Sequence, residues 1–361
     1  MARPFDLSKF RKDITKSIEG LGVGFNDPTD WISTGNYTLN YLISGDFFRG
    51  IPLGKVTVFA GEPGAGKSYI CSANIIKHAQ EQGILVVLID SENALDEAWL
   101  KQLGVDTDEK KLLKLSMSMI DDVAKTISTF MKEYKEIAPA DRTKVLFVID
   151  SLGMLLTPTD VNQFEAGEMK GDMGRKPKAL TALVRNCVNM FGNYNVGMVA
   201  TNHTYASQDP YNPDPNISGG AGFVYASSIV VAMKKLKLKE DEDGNKVSDV
   251  RGIRAGCKVM KTRYAKPFED MEVRIPWDSG MDAYSGMFDM LEKKKFVSKD
   301  GNRYVYIDTT GKEHKYFRKE WNKNEEGILD LVMNEFSKKL KQLPVVEEDD
   351  ADAEETTTKT E

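Results

Sequence analysis

A glycine-rich octapeptide has the residue types and spacing of a phosphate-binding loop. Residues 61–68 read GEPGAGKS, which fits G-x-x-x-x-G-K-S between an apolar run at 56–60 and a helical stretch at 68–82. Glycines let the backbone wrap a phosphate, the lysine adds a positive charge, and the serine hydroxyl can ligate Mg²⁺. The pattern therefore predicts a nucleotide site. Its residues are Gly61, Glu62, Pro63, Gly64, Ala65, Gly66, Lys67 and Ser68.

Carboxylates follow two further apolar runs, at 84–89 and 145–149. In open α/β sheets ligands lie at the carboxyl ends of the strands, so Asp150 is expected in the Mg²⁺ shell, with capping of the next helix as its alternative role. Glu92 is the better candidate to polarise a water, whereas Asp90 is expected to cap a helix. Hydrolysis requires a second metal anchor and a residue that positions water in addition to nucleotide binding, and Asp150 and Glu92 are the candidates for these roles.

Asn202 and His203 end a fourth apolar run, at 196–200, in a chain with three histidines. Three successive runs thus finish in polar groups that can converge on one γ-phosphate. On its own, His203 is equally well interpreted as an exposed or capping residue. Its charge state is left open by the sequence, because an imidazole titrates near neutrality.

The elements that must position these groups alternate between strand and helix. The apolar runs are short, rich in β-branched residues and not alternating, as in strands buried on both faces. Helical stretches at 68–82, 121–137 and 178–191 separate them, and runs at 228–233 and 256–260 extend the sheet. This rhythm predicts an α/β fold with a mostly parallel, doubly wound sheet.

Appendages flank this core. Apolar residues at helical spacing predict an amphipathic helix over 5–20, with a linker reaching residue 30. The helix cannot bury its apolar face within itself, so we expect it to pack on the body or on a neighbouring subunit. Short strands, turns and a helix near 325–340 predict a small α+β domain over 291–343, and residues 344–361 form an acidic tail expected to be disordered.

Charge permits a polyanionic partner without indicating one. The tail has eight acidic residues and one lysine, so the chain's −6 less the tail's −7 leaves a body of +1. Three scattered cysteines, no membrane-length apolar run and no hydrophobic leader predict a cytoplasmic protein.

Together these motifs resemble the RecA-type recombinases, over about residues 31–291, and within them the branch found in T-even phages. The resemblance rests on ISTG at 32–35, the phosphate loop, DSE at 90–92, IDS at 149–151, NHTY at 202–205, GG at 219–220 and GMDAYSG at 280–286. It implies a RecA-like ATPase core at 31–290 behind an N-terminal oligomerisation helix and linker at 1–30.

The resemblance also implies roles for particular residues. Glu92 would be the catalytic base, Trp99 would stack on adenine where the family usually has Tyr, and Asp96 would lie nearby. His203 stands where the family has Gln and would sense the γ-phosphate. Lys261 and Arg263 match a basic pair that reaches the ATP of the next protomer; ordinary solvated charges are the alternative.

Two long polar segments, 156–174 and 204–221, are too long for connecting turns and resemble the family's DNA-binding loops. Lys178 and Arg185, seven apart on one helix, match contacts to the DNA backbone. Met173 matches a residue wedged between bases, with core packing as its alternative. Gly219 and Gly220 let backbone N–H groups approach a phosphate.

The resemblance therefore implies an ATP- and Mg²⁺-dependent recombinase that forms helical filaments on single-stranded DNA and exchanges strands with homologous duplex DNA. A recombination mediator and a single-strand-binding protein are the implied partners. Two rivals use the same core. A ring-forming replicative helicase would normally need an N-terminal collar larger than about 30 residues, and a regulatory paralogue would not exchange strands.

Overall fold

The fold is described from a computed structural model, which places residues 5–18, 27–168, 174–207, 214–240 and 246–340, without the side chains of 339 and 340. The chain divides into two compact units, 1–296 and 297–361. The second unit begins a few residues after the predicted start of the small domain. No helix in the described ranges is long and apolar enough to cross a membrane.

The first unit contains twelve strands and nine α-helices among its described residues. The strands are β1 (Trp31–Ile32), β2 (Ile51–Pro52), β3 (Val56–Gly61), β4 (Leu85–Asp90), β5 (Leu112–Ser116), β6 (Val145–Asp150), β7 (Val196–Asn202), β8 (Thr204–Tyr205), β9 (Asn216–Ile217), β10 (Ile229–Leu238), β11 (Gly252–Lys261) and β12 (Asp270–Pro276). The helices are α1 (Leu7–Ser17), α2 (Tyr37–Ser44), α3 (Ile76–Glu81), α4 (Glu97–Gln102), α5 (Ile120–Glu136), α6 (Pro158–Glu165), α7 (Arg175–Phe191), α8 (Gly220–Ala226) and α9 (Met287–Lys293).

Eight of these strands form one sheet in the order β12-β11-β10-β3-β7-β6-β4-β5. The strands from β10 to β5 run parallel, whereas β11 and β12 are antiparallel additions at one edge. Every residue of β3, β6 and β7 is buried, because helices cover both faces of the sheet. The predicted mostly parallel, doubly wound sheet is confirmed.

All six strands predicted for this sheet are present, β10 and β11 being longer than the runs at 228–233 and 256–260, but two strands of the sheet, β5 and β12, went unpredicted. In β5 most side chains are exposed, and in β12 the burial alternates, so neither forms the continuous apolar run that marks a central strand. The helix predicted over 68–82 is divided: residues Tyr69–Ile75 are π-helical, and α3 follows. A π-helical segment directly after a phosphate loop is typical of functional positions.

The second unit holds β13 (Ser298–Asp300), β14 (Arg303–Ile307) and β15 (Glu313–Phe317), paired antiparallel in that order. Helices α10 (Arg318–Asn322) and α11 (Ile328–Leu340) follow. The fully buried Trp321 donates its indole N–H to the Tyr304 carbonyl and so ties α10 to the sheet. This small antiparallel unit agrees with the prediction of a small C-terminal α+β domain.

Candidate functional site

The phosphate loop adopts a backbone that only glycine tolerates at two positions. Gly64 has φ +75° and Gly66 has φ +92°, both in the left-handed region. A Cβ on Gly64 would lie 2.9 Å from Lys235 Nζ, and one on Gly66 would lie 3.0 Å from a methyl of Ile253. The loop leaves β3 and enters the π-helical segment at Tyr69, which is the strand–loop–helix arrangement that the motif requires.

Lys67 is buried, and its ammonium bridges the two ends of this loop. Its Nζ donates to the carbonyls of Gly61, at 2.9 Å, and Glu62, at 3.0 Å. Burial lowers the pKa of Lys67, while the carboxylates of Asp150 and Glu92 act in the opposite direction. The site thus concentrates one positive charge where few waters solvate it, which strengthens its attraction for a phosphate.

Asp150 is almost fully buried at the end of β6, and both of its oxygens accept hydrogen bonds. Thr201 Oγ1 donates to Oδ1 at 2.5 Å and Ser72 Oγ donates to Oδ2 at 2.9 Å. The 3₁₀ turn that follows, Leu152–Met154, has no side-chain cap, so the alternative of a capping Asp150 is wrong. These bonds hold the carboxylate beside the start of the helix that Ser68 opens.

Ser68 and Asp150 fit Mg²⁺ held together with nucleotide phosphates. Within the described ranges no group of three or more His, Cys, Asp or Glu side chains could hold an ion by itself. Mg²⁺ is commonly bound through one or two protein oxygens plus phosphate oxygens and water, so one hydroxyl and one carboxylate match its chemistry. The assignment of both residues to Mg²⁺ stays a prediction.

Glu92, Ser151 and His203 form a second polar cluster at the same sheet edge. Ser151 Oγ donates to Glu92 Oε1 at 2.8 Å and lies 3.4 Å from His203 Nε2. His203 Nε2 lies 3.9 Å from Glu92 Oε1. The sheet register explains this meeting, because Asp90 pairs with Asp150 and Ile149 with Ala200, so the three strands end almost level.

His203 is joined to the second long segment, 204–221. Its side chain is 27% exposed, and burial together with the charge of Lys67 lowers its pKa, while Glu92 acts in the opposite direction. Its carbonyl accepts from the Ser218 N–H at 3.0 Å, and Asn202 Nδ2 donates to the Ser218 carbonyl at 2.8 Å. The end of β7 is therefore fastened to the segment predicted to bind DNA.

Asp90 and Asp96 have different local roles. The buried Asp90 accepts from the N–H groups of Ala94 and Leu95 and pairs with Lys114 at 3.0 Å, so it organises the turn that presents Glu92. Asp96, instead of Asp90, caps α4 by accepting from the Trp99 N–H at 2.9 Å. The expectation that Asp90 caps a helix is corrected accordingly.

The predicted adenine partner, Trp99, is half-buried on α4. Its ring centroid lies 6.4 Å from that of Tyr69, edge to face. Tyr69 directly follows Ser68, so the indole stands beside the phosphate loop. Its role as the stacking partner of adenine stays a prediction.

Lys261 and Arg263 lie apart from the polar cluster of Glu92, Ser151 and His203 in their own chain. Lys261 pairs across the sheet with Val230 of β10. The residue of β10 that pairs with Gly61, where the phosphate loop begins, is Met233, three positions further along the strand. Lys261 Nζ donates to the carbonyls of Val224, Tyr225 and Ser227 and so caps the end of α8. Arg263 is exposed. Neither residue is brought to the phosphate loop of the same protomer.

Part of the first long segment, 156–174, is helical, and its residues 169–173 lie outside the described ranges. It contains α6, with a capping box between Thr157 and Asp160. Lys178 and Arg185 are exposed on one side of α7, directly after this segment. Met173 lies outside the described residues.

The second long segment, 204–221, contains a short hairpin made by β8 and β9. Gly219 has φ +100° and Gly220 has φ +73°, and α8 begins there. Residues 208–213 of the segment lie outside the described ranges. Because β7 leads into the hairpin directly, the segment starts at the sheet edge that carries the polar cluster.

Sequence reasoning missed the residues that hold the polar groups in place. These residues are Ser72, Ser151 and Thr201, and Tyr69 beside Trp99 was missed as well. Two weak signals existed: Ser72 falls one helical turn after Ser68, and Thr201 is a polar residue at the end of an apolar run. Neither signal indicates the carboxylate that accepts the hydrogen bond.

Comparisons with known proteins agree with this geometry. The profile of the RecA N-terminal domain family matches residues 6–282. Protein RecA of Clostridioides difficile is 28% identical over 313 residues, covering 84% of this chain and 81% of that protein. Protein RecA of Rhodococcus opacus is 25% identical over 341 residues, covering 93% and 90%. Because the profile covers most of the chain and the sheet has the matching architecture, the chain belongs to the RecA family.

Proposed function

We propose that this protein is an ATP-dependent recombinase that forms helical filaments on single-stranded DNA and exchanges strands with homologous duplex DNA. The RecA family consists of DNA-dependent ATPases of recombination and repair, which bind ATP with Mg²⁺. The observation that carries the proposal is the meeting of Glu92, Ser151 and His203, next to Asp150, at the sheet edge from which both long segments depart.

Hydrolysis is assigned to groups at this edge. Lys67 attracts the β- and γ-phosphates, and Ser68 and Asp150 hold Mg²⁺, which when bound neutralises charge on the phosphate oxygens. Glu92 orients the attacking water and accepts its proton, a role that its partly exposed carboxylate suits. Trp99 and Asp96 flank the adenine.

The second half of each ATP site comes from the next protomer. Lys261 and Arg263 supply positive charge there, which is in keeping with their distance from the loop of their own chain. Helix α1 supports this assembly, because Leu7 is 70% and Phe10 48% exposed and none of the helix's residues is buried. An arm that docks on an identical neighbour makes a heterologous contact, and such contacts generate filaments. Loss of the γ-phosphate then relaxes the filament and releases DNA.

DNA binds along the two long segments. Lys178 and Arg185 contact phosphates, Gly219 and Gly220 present backbone N–H groups, and Met173 wedges between bases. Such contacts do not read sequence, which suits homologous exchange, because base pairing itself then tests the match. We further propose that the chain belongs to the phage branch represented by the UvsX strand-exchange protein, and that it works with a mediator and a single-strand-binding protein.

Strand exchange between circular single-stranded DNA and homologous linear duplex DNA, with ATP and Mg²⁺, tests the proposal. We expect nicked circular product that requires homology and ATP. Filaments without exchange would favour a regulatory paralogue instead. Unwinding of a tailed duplex without homology would favour a helicase.

A further inference from the structure

Lys176, the second residue of α7, turns inward, whereas the nearby Arg175 and Lys178 face solvent. Its Nζ donates to the Gly153 carbonyl at 2.6 Å. Lys176 is half-buried, and burial lowers its pKa, while Asp160 acts in the opposite direction. Arg175, in contrast, is exposed and donates to Thr159 Oγ1, and Lys178 is exposed. One ammonium therefore ties the end of the first long segment to the turn after β6.

Gly153 in turn lies against the ring of His203. A Cβ on Gly153 would stand 2.3 Å from His203 Cδ2, closer than real Cβ atoms approach, and 3.0 Å from Asn202 Oδ1. No side chain fits between this backbone and the imidazole. Displacement of the Gly153 carbonyl must therefore move the ring or open a gap beside it.

The His203 ring also lies against the other two members of the polar cluster, Ser151 and Glu92. His203 Nε2 lies 3.4 Å from Ser151 Oγ, which holds Glu92. Four charged groups face it: Lys67 from the phosphate loop, Glu92 after β4, Asp150 at the end of β6 and Lys176 from α7. Contacts thus run without interruption from Lys176 through Gly153 and His203 to Glu92.

We propose that Lys176 is a positioning residue that couples occupancy of the first DNA-binding segment to His203, and through it to Glu92. The inference rests on the proposed function. DNA that engages residues 156–174 shifts the start of α7, and Lys176 carries this shift to the Gly153 carbonyl. The second long segment contacts His203 separately, through the Ser218 N–H. DNA bound at either long segment therefore affects the position of His203.

The test compares Lys176→Met with Arg175→Gln, a loss of the same charge one residue earlier. ATP hydrolysis with and without single-stranded DNA, and DNA affinity, are measured on the full chain. We expect Lys176→Met to keep DNA-free hydrolysis and to lose about tenfold in DNA stimulation, within the usual range of coupling between sites. Lys176→Arg, which keeps a donor, should recover part of the stimulation, and Arg175→Gln should keep all of it.

DNA stimulation that survives in Lys176→Met would overturn the proposal. So would a fall in DNA affinity that accounts for the lost stimulation, because Lys176 would then be a DNA contact. Gly153→Ala is the second variant: its methyl group must displace the His203 ring, so it should lose stimulation while binding DNA normally. Thermal unfolding of each variant checks that the fold persists.

A readout that needs neither DNA nor ATP separates this inference from the proposed function. The chain has three histidines, so ¹⁵N imidazole signals can be assigned by single substitution. Lys176→Met should raise the pKa of His203, because a nearby positive charge is removed, and should leave His78 and His314 unchanged. An unmoved His203 signal contradicts the contact. Wild-type protein without DNA-stimulated hydrolysis contradicts the proposed function instead.

Discussion

The Ser151 hydroxyl donates a 2.8 Å hydrogen bond to Glu92 Oε1, although the two residues are 59 positions apart. Ser151 directly follows Asp150, the predicted Mg²⁺ ligand. The predicted metal ligand and the predicted base are thus joined through one side chain, which also lies within 3.4 Å of His203. A movement of the β6 turn must affect both at once.

Ser151→Ala should remove the hydrogen bond that holds the Glu92 carboxylate in place. Without the hydroxyl, the carboxylate is free to turn toward the γ-phosphate in the absence of DNA. We expect DNA-free ATP hydrolysis to rise about fivefold to tenfold, the equivalent of one ordinary intramolecular hydrogen bond. Steady-state phosphate release measures it, with Ser128→Ala, an exposed serine on α5, as the control outside the cluster. An unchanged or lower DNA-free rate would remove Ser151 from the regulation of Glu92.

His203→Gln should remove a pH dependence on the acid side of neutrality. Burial and Lys67 lower the pKa of His203 below its ordinary value of about 6.5, so the ring gains its proton as the pH falls on the acid side of neutrality. The imidazolium would pair with Glu92, 3.9 Å away, and occupy the base. Wild-type DNA-stimulated hydrolysis should therefore decline on acidification. The variant should hold its rate; a parallel decline in both proteins would contradict this role.

Lys178→Ala and Arg185→Ala should weaken DNA binding equally for all sequences. Each removes one exposed positive charge from the same side of α7, so the slope of log affinity against log salt should fall by about one for each. Fluorescence anisotropy at several salt concentrations gives the slope. Lys125→Ala, an exposed lysine on α5, serves as the control. Slopes equal to that of the control would place DNA elsewhere.

Removing the acidic tail should tighten binding to duplex DNA. Residues 344–361 lie outside the described ranges, but they carry a net charge of −7 on a body of +1. We propose that they compete with DNA for the basic surface. Deletion should raise duplex affinity and lower the Mg²⁺ concentration needed. Replacing the eight acids by Asn and Gln should act in the same way, and unchanged affinity in both variants would show that the tail serves only solubility.

The parts of the fold that could be predicted are those in which local sequence and burial agree. Strands β3, β4, β6 and β7 read as apolar runs because both of their faces are covered. Most side chains of edge strand β5 are exposed, so it gave no such run. Helix α6 was interpreted as a loop, since its polar sequence contains few core residues.

In the candidate site, too, some parts could be predicted from the sequence and others could not. The phosphate loop is contiguous, so its spacing alone reveals it. The bond from Ser151 to Glu92 and that from Thr201 to Asp150 join distant segments, and they depend on strand register and side-chain direction. Neither property can be read from one sequence. The contact between Gly153 and His203 is equally hidden, because only the three-dimensional approach shows why that residue must lack a side chain.

The central claim is that these strand ends form one ATPase centre controlled by DNA, with Glu92 as its base. The direct measurement is ATP hydrolysis by Glu92→Gln with and without single-stranded DNA, beside nucleotide affinity. We predict normal ATP and DNA binding with a loss of turnover of about 10²–10⁴-fold, as for removal of a general base. DNA-stimulated hydrolysis that persists in this variant would contradict the account.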